Sequence, residues 1–196
     1  MLMPDKRTHR GPNPADVKLF APLAIKALRQ AVADFSLLLT KGYAEKSALK
    51  LVGDRFSLTS RQRVAVMRCA CADEQLQSRI QRCVKKAAGE KTAIDGYNVL
   101  ITIEAAMSGA VVLKGRDGCF KDIASVHGTY RKVNETVPAV QLIGRFLTEN
   151  GINDCVWFLD SPVSNSGRLK TLIKQAAKGN GWEWKVELVV NPDAIL

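Results

Sequence analysis

The 196-residue chain has no apolar run near the roughly 20 residues that cross a bilayer. Its opening, MLMPDKRTHRGPNP, also lacks the apolar stretch of a secretory signal. Neither membrane insertion nor Sec export is expected. The five cysteines, Cys69, Cys71, Cys83, Cys119 and Cys155, are an odd number without a CxxC pair. That argues against a disulfide framework or zinc knuckle and for a reducing cytoplasm. Neither GxxxxGK[ST] nor GxGxxG occurs, which disfavours a P-loop NTPase.

What is present is the balance of a soluble globular protein, 46% hydrophobic and 24% charged, long enough for one large domain or two small ones. The net charge of +10 is unevenly placed. Residues 1–91 hold 18 Lys and Arg against 8 Asp and Glu, and residues 92–196 hold 11 of each. A concentrated positive field favours polyanions, so nucleic acid, ribosomal RNA or an anionic membrane surface are candidate partners. The plain alternative is a set of solvated helix faces.

The first half reads as helices. Residues 16–39 carry apolar residues at helical spacing, with a break near Pro22. AEKSALKLV predicts a second helix ending at Gly53, and LTSRQR opens a third, where Thr59 and Gln62 fit a capping box. Val64, Met67, Ala70 and Cys71 are its expected buried stripe. Residues 73–88 predict a fourth helix bearing Arg79, Arg82, Lys85 and Lys86, and Gly89 marks the boundary between a basic helical domain, 1–89, and an α/β domain, 90–196.

The second half alternates. A TAI strand turns at Asp95-Gly96 into a helix over Tyr97–Met107. AVVLKG is a strand, residues 134–149 a helix, DCVWFLD a strand, SGRLKTLIKQAAKG a helix and WEWKVELVV a last strand. Alternation of this kind predicts a parallel sheet flanked by helices. Ligands in such sheets gather at the carboxyl ends of strands, where Asp95 and Asp160 fall. Acids from separate strand ends suit magnesium or manganese, which favour carboxylate oxygens and keep several waters. Each aspartate could equally cap the helix that follows it.

GRDGCFKDIASVHGTYRK is the densest polar segment, offering Arg116, Asp117, Asp122, His127, Arg131 and Lys132. With a helix starting near Cys119, Asp122, Val126 and Tyr130 share a face, so Asp122 is a better third metal ligand than His127. Asp117 reads first as a turn residue. SPVSNSGRLK sets Ser164, Asn165, Ser166, Arg168 and Lys170 at a helix start receptive to phosphate, with plain capping as the alternative.

At IDGYNVL the chain resembles PIN-like nucleases, especially the bacterial NYN branch, which open with a strand, then DGYN or DGNN, then a helix. Through HRGPNPADVKLFAP, GYAEKSALKLVGDRF, GRDGCFKDIASVHGTYRK and LDSPVSNSGRLK it also resembles, over nearly its full length, an uncharacterised archaeal and bacterial family. That family pairs a helical N-terminal domain of unknown function with a PIN-like C-terminal one. The resemblance implies Asp95 as the first metal-binding acid and Asp160 as the acid ending a later strand. PIN-like domains usually carry a further acid in a late TSD-type turn. This chain ends at NPDAIL, so either Asp193 takes that role or a shortened chain lacks the ligand.

The leading expectation is a metal-dependent nuclease, an endoribonuclease first, whose basic helical domain grips RNA. Asp95, Asp122 and Asp160 would be catalytic and hold Mg2+ or Mn2+, with Asp117 and Asp193 as further candidate ligands. Asn98, Arg116, His127 and Arg131 would contact phosphate or nucleic acid together with Ser164, Asn165, Ser166, Arg168 and Lys170. RNA stands ahead of DNA by family analogy alone. Two other readings stay open: a non-catalytic RNA or ribonucleoprotein binder on a PIN-like scaffold, and a small-molecule phosphohydrolase using the same acids. A homodimer is left open.

Overall fold

The computed structural model describes residues 11–84, 87–124 and 130–196. The chain folds as two compact units, and the division is not a single cut. Pro12–Cys83 and Ala110–Ile123 form a helical unit, while Val84–Gly109 and Ala124–Leu196 form an α/β unit.

In the helical unit α1 spans Asp16–Leu19, α2 Pro22–Thr40, α3 Glu45–Arg55, α4 Ser60–Cys69 and α5 Asp73–Arg82. Pro22 occupies the first turn of α2, where its missing N–H is harmless, and so starts that helix rather than kinking one. Thr59 accepts from the backbone of Gln62, and Gln62 Oε1 accepts from Thr59 N, completing the capping box of α4. The box phases the helix so that Gln62, Ala65, Val66 and Cys69 face inward. The expected stripe is therefore corrected. Met67 is exposed, Val64 and Ala70 are half-buried, and Cys71 is buried but lies beyond the helix end. Apolarity misjudged the phase because Gln62 is polar yet points inward, donating to the Leu19 carbonyl at 2.9 Å. Leu28, Ala31, Phe35, Ala48, Val52, Leu58 and Val66 make the core.

Two short strands complete this unit. β2, Val112–Lys114, pairs antiparallel with β3, Phe120–Asp122. Two expectations are corrected here. AVVLKG does not join the parallel sheet, and no helix starts near Cys119. The turn decides both: Gly115 N donates to Cys119 O at 2.8 Å, Asp117 Oδ1 accepts from Cys119 N, and Gly118 takes φ 80°. A left-handed glycine beside an aspartate that bonds two residues on reverses the chain instead of winding it.

In the α/β unit β1 is Thr92–Asp95, α6 Gly96–Met107, α7 Thr136–Glu149, β4 Asp154–Asp160, α8 Ser166–Asn180 and β5 Glu183–Val189, followed by a 3-10 turn, Pro192–Ala194. The three strands are parallel in the order β1-β4-β5, so the α/β class holds. β4, the middle strand, buries Cys155, Trp157 and Leu159 completely, and Leu100, Val140 and Ile173 from the three helices complete the core. Gly96 matters at the crossing of α6 over β4. A Cβ there would lie 2.5 Å from Leu159 Cδ2 and 3.0 Å from the Phe158 carbonyl. No described helix is long and apolar enough to cross a membrane.

Two predictions test these constraints. Gly96→Ala must displace the Leu159 side chain or the β4 backbone beside it, and should destabilise the protein by about 1–3 kcal/mol in a urea melt, the usual cost of overpacking. An unchanged midpoint would show that the crossing tolerates a methyl group. In the helical unit Asp16, 5% exposed, accepts two hydrogen bonds from Arg61, one of 2.8 Å. The Arg61 guanidinium outweighs burial and holds the Asp16 carboxyl below its ordinary 3.8. A depressed carboxylate contributes stability above its ordinary pKa that is lost as pH falls through the folded one. Asp16→Asn should cost about 1–3 kcal/mol at pH 7, and the gap from wild type should close below pH 3.8. A gap constant with pH would remove the ion pair as its cause.

Candidate functional site

Asp95 ends β1 and is also the N-cap of α6. Its Oδ1 accepts from Asn98 N at 3.0 Å and its Oδ2 from Asn98 Nδ2 at 2.7 Å. Capping and site duty are compatible, since an ionised carboxylate offers about four acceptor positions. Asn98 accordingly orients Asp95 with its side-chain amide. Asp160 ends β4, the neighbouring strand. The register sets Asp95 beside Phe158 and Asp160 beside Val189, so both acids lie at the carboxyl edge of the sheet. Paired residues of a ladder share a face, as do residues two apart, and Asp95, Phe158 and Asp160 therefore share one.

Asp193 follows β5 in the 3-10 turn, its N–H donating to Asn191 Oδ1 at 3.1 Å. Burial pushes the Asp160 carboxyl above its ordinary value, and the charges of Asp95 and Asp193 push it further, against a hydrogen bond from its own backbone. Like charges therefore oppose one another at the carboxyl edge of the sheet. Among the described residues, no three His, Cys, Asp or Glu side chains gather into a ready-made metal site.

The segment after β4 is divided in its use. Ser166 is 3% exposed and turned inward, with its Oγ within hydrogen-bond reach of the Asp160 and Val163 carbonyls and 2.8 Å from Tyr97 OH. Asn165, in the left-handed region at φ 72°, donates from Nδ2 to the Tyr130 carbonyl at 2.9 Å, and Tyr130 N donates to Ser164 O. Those groups shape the turn, which leaves the Ser164 and Arg168 side chains exposed and Lys170 half-exposed. Arg131 and Lys132 are also exposed, and His127 lies outside the described residues.

Asp117, Asp122 and Arg116 belong to the hairpin of the helical unit, and each is already engaged there. Asp122, 1% exposed, accepts from Arg68. Burial pushes the Asp117 carboxyl up, but the Cys119 N–H, Lys121 and Arg79 together hold it below its ordinary value. The Arg116 guanidinium donates to the Cys71 carbonyl and to Asp73. The expected ligand pair Asp117 and Asp122 and the expected phosphate contact Arg116 are therefore found fastening a hairpin to helices. Their opposite charges are satisfied within one unit.

A group that the sequence reading passed over lies in the α/β core. Glu104, fully buried on α6, accepts from Tyr130 OH and from Thr136 Oγ1, each at 2.6 Å, and Thr136 Oγ1 accepts from Val133 N. An acid inside the apolar helix YNVLITIEAAM was the available signal, since Glu is almost never fully buried unless partnered. Tyr130 also packs on Tyr97, ring centroids 5.3 Å apart. Through these contacts α6 and α7 hold the turn that follows Asp160.

Residues 84–196 match the family described as Domain of unknown function (DUF5616), and residues 27–82 match the one described as Protein of unknown function (DUF434). An uncharacterised protein of Methanocaldococcus jannaschii is 31% identical over 170 residues, covering 85% of this chain and 81% of that protein. No solved structure matches the chain. With more than half of its length matched, the chain belongs to the DUF5616 family, with a DUF434 segment preceding that domain.

Proposed function

We propose that the α/β unit is a metal-dependent nuclease domain acting on RNA, and that the helical unit helps retain the RNA backbone. The observation that carries this reading is the negative carboxyl edge, where Asp95 and Asp160 end adjacent parallel strands and Asp193 adds its charge. Like charge that raises the pKa of Asp160 is relieved by a hard divalent cation, and magnesium is commonly held by one or two carboxylates plus waters. The donor set fits Mg2+ or Mn2+. Bound there, the ion would lower the pKa of a coordinated water and offset charge on the phosphodiester. Asp95 and Asp160 would hold it, with Asn98 keeping Asp95 in orientation. Ser164 and Arg168, exposed after β4, are suited to a phosphate oxygen.

The charge distribution supports the polyanion. Counted over the helical unit, 15 Lys and Arg face 8 Asp and Glu. Arg61, Arg63, Arg68, Arg79 and Arg116 spend their charge on carboxylates. Lys18, Lys26, Lys41, Lys46 and Arg82 pair with no carboxylate among the described residues and are the groups offered to phosphates. A second reading, a non-catalytic RNA or ribonucleoprotein binder on the same scaffold, is favoured by the absence of three converging ligands among the described residues.

Labelled single-stranded and structured RNA, incubated with Mn2+, Mg2+ or EDTA, separates the two. The nuclease reading expects cleavage with either metal and none with EDTA. Asp95→Asn should lower the rate at least about 100-fold, beyond the 10–100-fold typical of outer-shell partners. RNA binding without metal-dependent cleavage would select the scaffold. A thermal melt supplies an independent check. An acid whose folded pKa is raised contributes stability below its ordinary value that is lost as pH rises through the folded pKa. Asp160→Asn should therefore melt higher than wild type at pH 7, with the gap vanishing below pH 3.8. Manganese should raise the melting temperature of wild type more than that of Asp160→Asn. Equal shifts would remove Asp160 from the ligand set.

A further inference from the structure

The helical unit contains a cleft of about 480 Å3 between α2, α4 and β2, inside the roughly 300–1,000 Å3 range of small-molecule sites. Its origin lies in how the hairpin is attached. Arg116 N donates to Cys69 O, the Arg116 guanidinium reaches Cys71 O and Asp73, and the Arg68–Asp122 and Arg79–Asp117 pairs hold the rest. The hairpin is fastened by polar bonds to the end of α4 and to α5, so the apolar surface between α2 and β2 is left unfilled. Leu28, Ala65 and Val66 form a buried floor, and the half-buried Val112 and Leu113 form one wall.

The lining is selective in kind. Among the described residues it contains no aromatic ring, no hydroxyl or amide side chain and no acid. A nucleobase is commonly held by aromatic stacking and by side chains that accept as well as donate at its edges, and among the described residues the lining has no aromatic ring and no side-chain oxygen acceptor. Three cations, Arg29, Lys114 and Arg116, also line it. Arg116 is committed to Asp73 and Cys71, whereas Arg29 and Lys114 pair with no carboxylate among the described residues. An aliphatic interior with unspent positive charge is complementary to an aliphatic body ending in an anion.

We infer that this cleft binds a small amphipathic anion, an aliphatic chain carrying a carboxylate or phosphate, with the chain over Leu28, Ala65 and Val66 and the head group between Arg29 and Lys114. The site is independent of the carboxyl edge of the sheet and of any nuclease activity. Calorimetric titration of the full chain with butyrate, hexanoate and octanoate, all kept below micelle formation, tests it. One molecule should bind per chain, with affinity rising about fourfold per methylene until the cleft is full. Octyl phosphate compared with octanoate identifies the head group, and tighter binding of either supports the site. Octanol should bind at least about tenfold more weakly than the better anion, and the double variant Arg29→Ala/Lys114→Ala should erase that difference. Ala33 is exposed where α2 meets the cleft, so Ala33→Trp should obstruct binding without disturbing the buried floor. Non-saturating uptake, equal affinity for octanol, undiminished binding to a folded Ala33→Trp protein, or displacement by an equimolar nucleoside monophosphate would each overturn the assignment.

Discussion

The parallel pairing of β1 with β4 is the constraint on which the α/β unit depends. Parallel neighbours must start from the same end of the sheet, so their chains also leave it at the same end, and whatever residue closes each strand is brought to a common edge. Here both closing residues are aspartates. Antiparallel pairing would have sent Asp95 and Asp160 to opposite ends, and a one-residue slip would have turned them to opposite faces. The register Asp95↔Phe158 excludes both arrangements, and Gly96 lets α6 leave the strand close against β4 without displacing it.

Concentrating like charge at one edge raises the free energy of the fold, and the rest of the unit must resist relaxation there. The buried Glu104, Tyr130 and Thr136 group provides that resistance. Tyr130 is held at its phenol by Glu104, and its backbone N–H and carbonyl engage Ser164 and Asn165. The turn after Asp160 is thereby tied to α6 and α7 by groups whose loss would leave buried polar atoms unsatisfied. Such atoms are costly in a low-dielectric interior, so the bonds converging on Glu104 Oε1 favour one arrangement of these three side chains.

Local rules were legible from the sequence. The Thr59 and Gln62 capping box depends on residues three apart, and the strands and helices after residue 150 depend on short apolar patterns; each reappears in the structure. Long-range charge matching was not legible. Arg68 meets Asp122 across 54 positions and Arg79 meets Asp117 across 38, and no spacing rule connects such residues. Without those partners the segment 116–132 looked like a polar surface awaiting a ligand. The three-residue β3 is too short to display alternation, and only the turn chemistry of Asp117 and Gly118 signalled it.

The same pairings alter what the net charge means. A composition of +10 counts every arginine as available, yet arginine is the cation best suited to bidentate carboxylate contacts, and in the helical unit it serves largely to fasten elements. Lysine, a flexible and strongly hydrated point charge, is left on the surface. The charge available to a polyanion is thus weighted toward lysines, which can follow a phosphate backbone without demanding one geometry. An interface of that kind grips through counterion release and is tolerant of sequence. On the proposed nuclease reading, discrimination between RNA substrates would then come from the turn beside Asp160, where the Ser164 and Arg168 side chains are exposed.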